Sequence, residues 1–428
     1  MGDNSKKPGI RFKGFTDDWE QRKFADYYKM SSGYAFKMTD YCDDGAGLIN
    51  GESIQHGIIN DDNLNHLPES FIEQYPEFVL KEGDIVVGLN RPITNGNLKI
   101  ARIPSKYNNF MLYQRAGKIV YKAGCDKDFS YILLSQEILK HTLVEAVGSD
   151  QPFISTSKLD KWKIMMPMNI EEQEKIGVYF SNLDHIITLH QRKYDKLVVI
   201  KKSMLEKMFP KDGQTKPEIR FSGFTDDWEQ RKLGDILVSL QNNTLSRADL
   251  SNKDGVAKNV HYGDILIKFG EVLDVSKESL PMISDEGVLT KYKSSYLQNG
   301  DVIVADTSED STVGKCSEIA GLNGEIVVSG LHTIPYRPVE QFASGYLGYY
   351  LNSSAYHSQL IPLMQGIKVT SISKSAVHDT DIIYPKAKEE QSKIGKYFQS
   401  LDHLITLHQR ELEKLKKIKL SMLEKMFV

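Results

Sequence analysis

Between Ile85 and Cys125 there is no acidic residue, and there are seven basic ones: Arg91, Lys99, Arg102, Lys106, Arg115, Lys118 and Lys122. Asn90, Asn95, Asn97, Asn108, Asn109 and Gln114 are interleaved with them. Arginine and the carboxamides match the hydrogen-bonding edges of guanine and adenine, while lysine and arginine also neutralise phosphate. The whole chain has 54 Lys+Arg against 57 Asp+Glu, a net charge of −3. No global basic excess announces nucleic acid, so a window this one-sided is a local feature that favours DNA. An ordinary solvated sheet face is the alternative. Gln341 to His378 likewise lacks acids and offers Gln359, Gln365, Lys368, Thr370, Ser371, Ser373 and Lys374. Asp306 to Lys315 (DTSEDSTVGK) follows the apolar run Asp301–Ala305 as Asn90–Lys99 follows Asp84–Val87. This matched loop is a candidate reading loop in both places, with Thr307, Ser311 and Lys315 in the second; a plain polar turn explains it equally.

Bond-making chemistry has no comparable signature. Gly314-Lys315-Cys316 lacks the upstream glycine and the Ser/Thr of a phosphate-cradling loop, and no G-x-G-x-x-G exists for a dinucleotide. There is no Asn/Asp-Pro-Pro-aromatic motif for an adenine methyltransferase, no Gly-x-Ser-x-Gly elbow and no His-Glu-x-x-His. Asp17-Asp18 and Asp226-Asp227 sit beside Trp19 and Trp228 in repeated segments, which predicts a structural turn and cap rather than a catalytic dyad. Neither a catalytic residue nor a bound cofactor or metal is expected in this chain.

The elements that must carry the two windows are set by a tandem duplication. KPGIRFKGFTDDWEQRK (7–23) recurs 209 positions later as KPEIRFSGFTDDWEQRK (216–232), with 15 of 17 residues identical. Glu171–Phe209 recurs at Glu389–Phe427, offset by 218, with 28 of 39 identical. The segments between share only anchors such as Gly83-Asp84-Ile85 with Gly300-Asp301-Val302, Ile154-Ser155 with Ile372-Ser373, and Pro167 with Pro385. The expected organisation is a constant tag at 1–23, a variable domain at 24–170, a constant helix at 171–209, a linker and second tag at 210–232, a second variable domain at 233–388 and a second constant helix at 389–428. Short strands are predicted at VVGLN, DVIVA and EIVVS, and helices at 129–144 and 345–360. Each variable domain is then mixed, and the class is α+β.

The constant segments read as long helices. Ile176, Phe180, Leu183, Ile187, Tyr194, Leu197, Met204 and Met208 recur at 3-4 spacing, broken by His190 and Lys201. Ile394, Phe398, Leu401, Ile405, Leu412, Leu415, Met422 and Met426 repeat this, broken by His408 and Lys419. That is a coiled-coil seam, and the matching breaks predict register setting rather than a metal site. Connectivity predicts that the helices pair antiparallel, as a pseudo-twofold coil separating the two variable domains. A second stripe, Tyr179, Ile186 and Ile200 with Tyr397, Leu404 and Ile418, has no partner within a two-helix coil. It predicts cover either from this chain's own domains or from partner helices.

At 428 residues, several domains are expected. Cys42, Cys125 and Cys316 are scattered without a CxxC, and the polar start MGDNSKKPG lacks an apolar leader. No apolar run approaches the ~18 residues that span a membrane. A cytoplasmic protein with no membrane partner is expected.

The tag RFxGFTDDWEQRK and the helix EEQ…IGxYFxxLDxxITLHQR…SMLEKMF, each present twice around divergent segments, closely resemble the specificity subunit of type I restriction-modification systems. The resemblance covers essentially the whole chain. It implies two target-recognition domains, each reading one half of a bipartite, asymmetric site in double-stranded DNA, with the coil setting the spacer. It implies two methylation subunits docked on the coil and two restriction subunits recruited through them. S-adenosylmethionine, ATP and magnesium would sit on those partners, with the adenine methylation and DNA cleavage. Within that frame the residues expected at DNA are Asn90, Arg91, Asn95, Asn97, Lys99, Arg102 and Lys106, then Thr307, Ser311, Lys315, Gln365, Lys368, Thr370 and Lys374. A coiled-coil scaffold without DNA binding is the rival.

Overall fold

In a computed structural model, residues 6–122, 124–145 and 152–428 are described. The chain forms two units, Met1–Leu189 with Glu411–Val428, and His190–Arg410.

In the first unit the four-residue run IVVG at Ile85–Gly88 is buried on both faces, as a central β-branched strand should be. It lies in a four-stranded antiparallel sheet ordered Tyr28–Ser32, Ala116–Tyr121, Ile85–Gly88, Ile100–Arg102. The helix Lys127–Glu145 packs its Phe129, Ile132, Leu133 and Ile138 into the core with Ile85 and Val87. The second unit repeats the frame with one more strand: Leu237–Ser239, Thr333–Pro338, Val302–Ala305, Cys316–Ala320, Val272–Asp274. Its helical stretch is not the single helix predicted at 345–360. Tyr346–Asn352 stops at Ser353, which is extended, and Ser354–His357 starts afresh. The Asn352 side chain donates to the carbonyls of Cys316 and Gly348, and the Ser353 hydroxyl to that of Tyr350. Such local side-chain bonds compete with helix continuation.

The tags are built into the domains they precede. Glu20–Lys23 pairs antiparallel with Lys163–Met166, and Glu229–Lys232 with Asp381–Tyr384. Arg11 forks onto the buried Glu172 carboxylate at 2.6 and 2.7 Å while its third nitrogen donates to the Asp17 carbonyl. Arg220, Glu390 and Asp226 repeat the arrangement. Asp18 and Asp227 pair with Lys7 and Lys216, as surface ion pairs of a structural turn.

The long helices run Ile170–Lys207 and Lys388–Met426. In each unit their segments are antiparallel: Asp184 meets Lys419 in the first, and Lys201 meets Asp402 and His190 meets His408 in the second. Ile176, Phe180 and Leu183 are buried, as are Ile394, Phe398 and Leu401, whereas Ile187, Tyr194 and Leu197 are half-buried. Phe427 packs against Trp19, Phe129 and Phe180 in the first core, and Phe209 against Trp228, Tyr346 and Phe398 in the second. No helix among the described residues is long and apolar enough to cross a membrane.

Candidate nucleic-acid interface

Where the central strand of each sheet ends, three chain segments are tied together through main-chain bonds. After Ile85–Gly88, the Leu89 N–H donates to the Arg115 carbonyl at 2.8 Å, and the Leu89 carbonyl accepts from Ile154 N–H at 2.9 Å. After Val302–Ala305, the Asp306 N–H donates to the His332 carbonyl at 3.1 Å, and the Asp306 carbonyl accepts from Ile372 N–H at 2.9 Å. The anchors Ile154 and Ile372 therefore hold the two matched loops, although the loop sequences differ.

In the first unit the loop opens with Asn90 bridged to Phe153 and Arg91 N–H bonded to the Pro152 carbonyl. A hairpin follows, Ile93–Thr94 with Asn97–Leu98, around Asn95-Gly96 in the left-handed region that such two-residue turns require. Asn90, Arg91, Asn95 and Asn97 are exposed, and Lys99 is half-buried with its stem against Gly88. Phe153 is 61% exposed on the same rim.

In the second unit Thr307–Ser308 pairs with Thr370–Ser371, and Gln365 and Ser371 exchange both main-chain bonds at 2.9 and 2.8 Å. Thr307, Gln365 and Thr370 are thereby brought together, and Ser311 is exposed on the adjoining turn. Lys368 and Lys374 are exposed, as are the apolar Ile367 and Val369. This loop is acidic at Asp306, Glu309 and Asp310, so its chemistry is unlike that of the first.

Several predicted contact residues are occupied elsewhere. Arg102 is ion-paired with Asp128 and lies 4.5 Å over the Tyr131 ring. It joins a sheet strand to the helix beneath it, away from the loop rim. Lys315 donates to the Leu266 carbonyl at 3.0 Å, and burial lowers its pKa, which disfavours a cation placed for phosphate. Lys106 is exposed but pairs with Asp61 at 2.8 Å and lies over Tyr107. Lys118 and Lys122 donate to the carbonyls of Val79 and Ala25. Four of the seven basic residues of the window are thus engaged within the chain.

The second apolar stripe is also partly covered. Tyr179 packs on Phe12 and Tyr397 on Phe221, rings of the tags, at 6.2 and 6.1 Å. Ile200 packs on the second core, and Ile418 is half-buried. Ile186 and Leu404 remain 42% and 40% exposed, each beside another exposed leucine, Leu189 and Leu407. Sequence reasoning passed over the rim residues Phe153 and His332. Their mark is positional: each is adjacent to a constant anchor or shares the loop's offset of 217 with Arg115.

Among the described residues no cluster of three or more His, Cys, Asp or Glu is placed to hold a metal. The arrangement offers exposed donors, acceptors and apolar contacts on two diverged rims, each mounted on a shared frame. It is that of a tandem recognition protein. Residues 16–198 and 225–417 each match the type I restriction modification DNA specificity domain, and the chain belongs to that family.

Over 191 residues it is 33% identical to the type I restriction enzyme MjaVIII specificity subunit of Methanocaldococcus jannaschii, covering 44% of this chain and 45% of that one. Over 181 residues it is 30% identical to the type I restriction enzyme EcoAI specificity subunit of Escherichia coli, covering 42% and 30%. These matches span less than half the length of either relative. The crystal structure of a type I restriction-modification S subunit from M. genitalium superposes over 99% of both chains, with a TM-score of 0.57 at 15% identity, and shares the fold.

Proposed function

We propose that this chain is the DNA-reading, non-catalytic subunit of a type I restriction-modification complex. Each variable domain reads one half of a bipartite, asymmetric site, and the chain joining the domains sets the spacer. Methylation subunits dock on the long helices and recruit restriction subunits, and those partners carry S-adenosylmethionine, ATP, magnesium and the catalysis in the cytoplasm. The carrying observation is the pair of rims: different side chains held by the same main-chain bonds to the same Ile-Ser anchors.

A segment exchange tests this. Residues 24–160 lie just inside the strand pair Glu20–Lys23 with Lys163–Met166, so replacing them with another family member's segment leaves that joint intact. Sequencing of methylated adenines in the host genome should then show one half-site changed and the other kept. A change in both halves, or in neither, would refute independent reading.

A further inference from the structure

Non-glycine residues avoid positive φ because the side chain crowds the main chain, and asparagine, aspartate and histidine tolerate it best. At the first rim, Arg115 has φ +70°; at the second, His332 has φ +56°. These two residues stand 217 positions apart, the offset that relates Gly83 to Gly300. Their main chains also bond alike, since each carbonyl accepts the N–H of the first residue after the central strand. Glycine would satisfy the turn at lower cost. Both domains instead keep a large, polar, exposed side chain there. A bulky polar residue kept in a left-handed turn at one place in two otherwise divergent domains points to the side chain, since glycine would serve the turn.

The surroundings say what the side chain meets. Among the described residues, Arg115 has no hydrogen bond or ion pair for its guanidinium, unlike Arg102 in the same window. It shares its rim with Arg91 and the exposed Phe153, with no carboxylate in the loop to compete for it. His332 is instead poised by neighbours: its Nδ1 lies 3.4 Å from Asp306 and 3.4 Å from the Thr307 hydroxyl, and its ring packs edge-on to Tyr262.

Taking the DNA-reading function above as given, we propose that this left-handed turn residue is a base-reading position in each domain. Arg115 presents its fork to a guanine in the first half-site. His332, held by Asp306, presents a ring nitrogen to a base edge in the second.

Glycine substitution separates side chain from backbone. Arg115→Gly and His332→Gly keep the favoured φ and remove the reading group, so the melting temperature should hold or rise. Each variant, placed in the chromosomal gene, is assayed by sequencing methylated adenines. The expected result is relaxation of one base position, in the first half-site for Arg115→Gly and in the other for His332→Gly, by roughly tenfold or more. Loss of all methylation by a variant with native melting temperature and native complex yield also supports the assignment. Loss accompanied by a lowered melting temperature makes the position structural and overturns it, as does an unchanged motif in both variants. A phosphate contact would instead weaken methylation about equally at all sites, so an Arg115→Gly variant that marks every site less but keeps the preference at each base position would overturn base reading. A native chain that directs no bipartite motif would instead bring down the function on which the proposal rests.

Discussion

Arg102 and Glu318 occupy the same place in their domains, Arg102 opposite Ile85 and Glu318 opposite Val302. Each ties its strand to the start of the following helix. Arg102 does so through the Asp128 carboxylate, and Glu318 by accepting the N–H groups of Gly345 and Gly348 at 2.6 and 3.0 Å. One joint is thus served by opposite charges. This is why composition misled at Arg102: a basic residue in a basic window was spent on packing, and no spacing rule distinguishes it from Arg91. Glu318 also yields a test. Burial lifts its pKa from 4.5 to about 7, against the pull of the helix N–H groups. The folded state therefore holds a proton that the unfolded chain releases between those values. The contribution of Glu318 is full below about pH 4.5 and is lost as pH rises through about 7. Relative to the native chain, Glu318→Gln should gain stability over that interval, by up to about 3 kcal/mol, less the hydrogen bond its amide nitrogen cannot accept. Thermal denaturation at pH 5 and pH 8 measures the difference; a constant offset would show the carboxylate ionised in the fold.

At the scale of elements, the long helices were legible because 3-4 spacing of apolar residues needs no tertiary information. The central strands were legible as short β-branched runs between turn residues. The broken helix at Ser353 was not, since its cause is the reach of Asn352 to a strand distant in sequence. The seam breaks proved to be pairs. Lys419 meets Asp184, and Lys201 meets Asp402 and Glu271. His190 and His408 face each other, Nδ1 to Nδ1 at 3.0 Å. One imidazole must donate and the other accept, so they cannot both be protonated in this geometry. Burial, followed by the charges of His190 and Lys193, pushes His408 below its ordinary 6.5. A depressed histidine binds its proton more readily in the unfolded chain, so stability from this pair is full above about pH 6.5 and falls on acidification. The double change His190→Leu with His408→Leu should flatten the acid side of the melting-temperature profile between about pH 5 and 7. Equal acid sensitivity in native and doubly substituted chains would exclude the pair as its source.

For the molecule as a whole, duplication made the domain plan readable, because near-identical tags and helices bracket the divergent segments. The sequence left open whether this chain or partner helices would cover the second stripe, and the tags cover part of it. Phe12 and Phe221 do so by lying on Tyr179 and Tyr397. Of the stripe itself, Ile186 and Leu404 are left open, beside the exposed Leu189 and Leu407. Ile186→Asp combined with Leu404→Asp should abolish co-purification of methylation subunits while leaving the melting temperature within a few degrees, since neither side chain is in a core. Assembly at native yield by that double variant would place the docking surface elsewhere.

The rims are held by bonds from one peptide group to another, and away from the left-handed positions such bonds accept almost any side chain. Mutation can therefore rewrite the letters of a rim while the frame stays registered by Ile154 and Ile372. Under the proposed function, a lineage that gains a new target by a codon change outside those left-handed positions need not regain stability somewhere else first. Under that same function, diversification of this chain is then limited by what the rest of the genome tolerates being marked, rather than by folding.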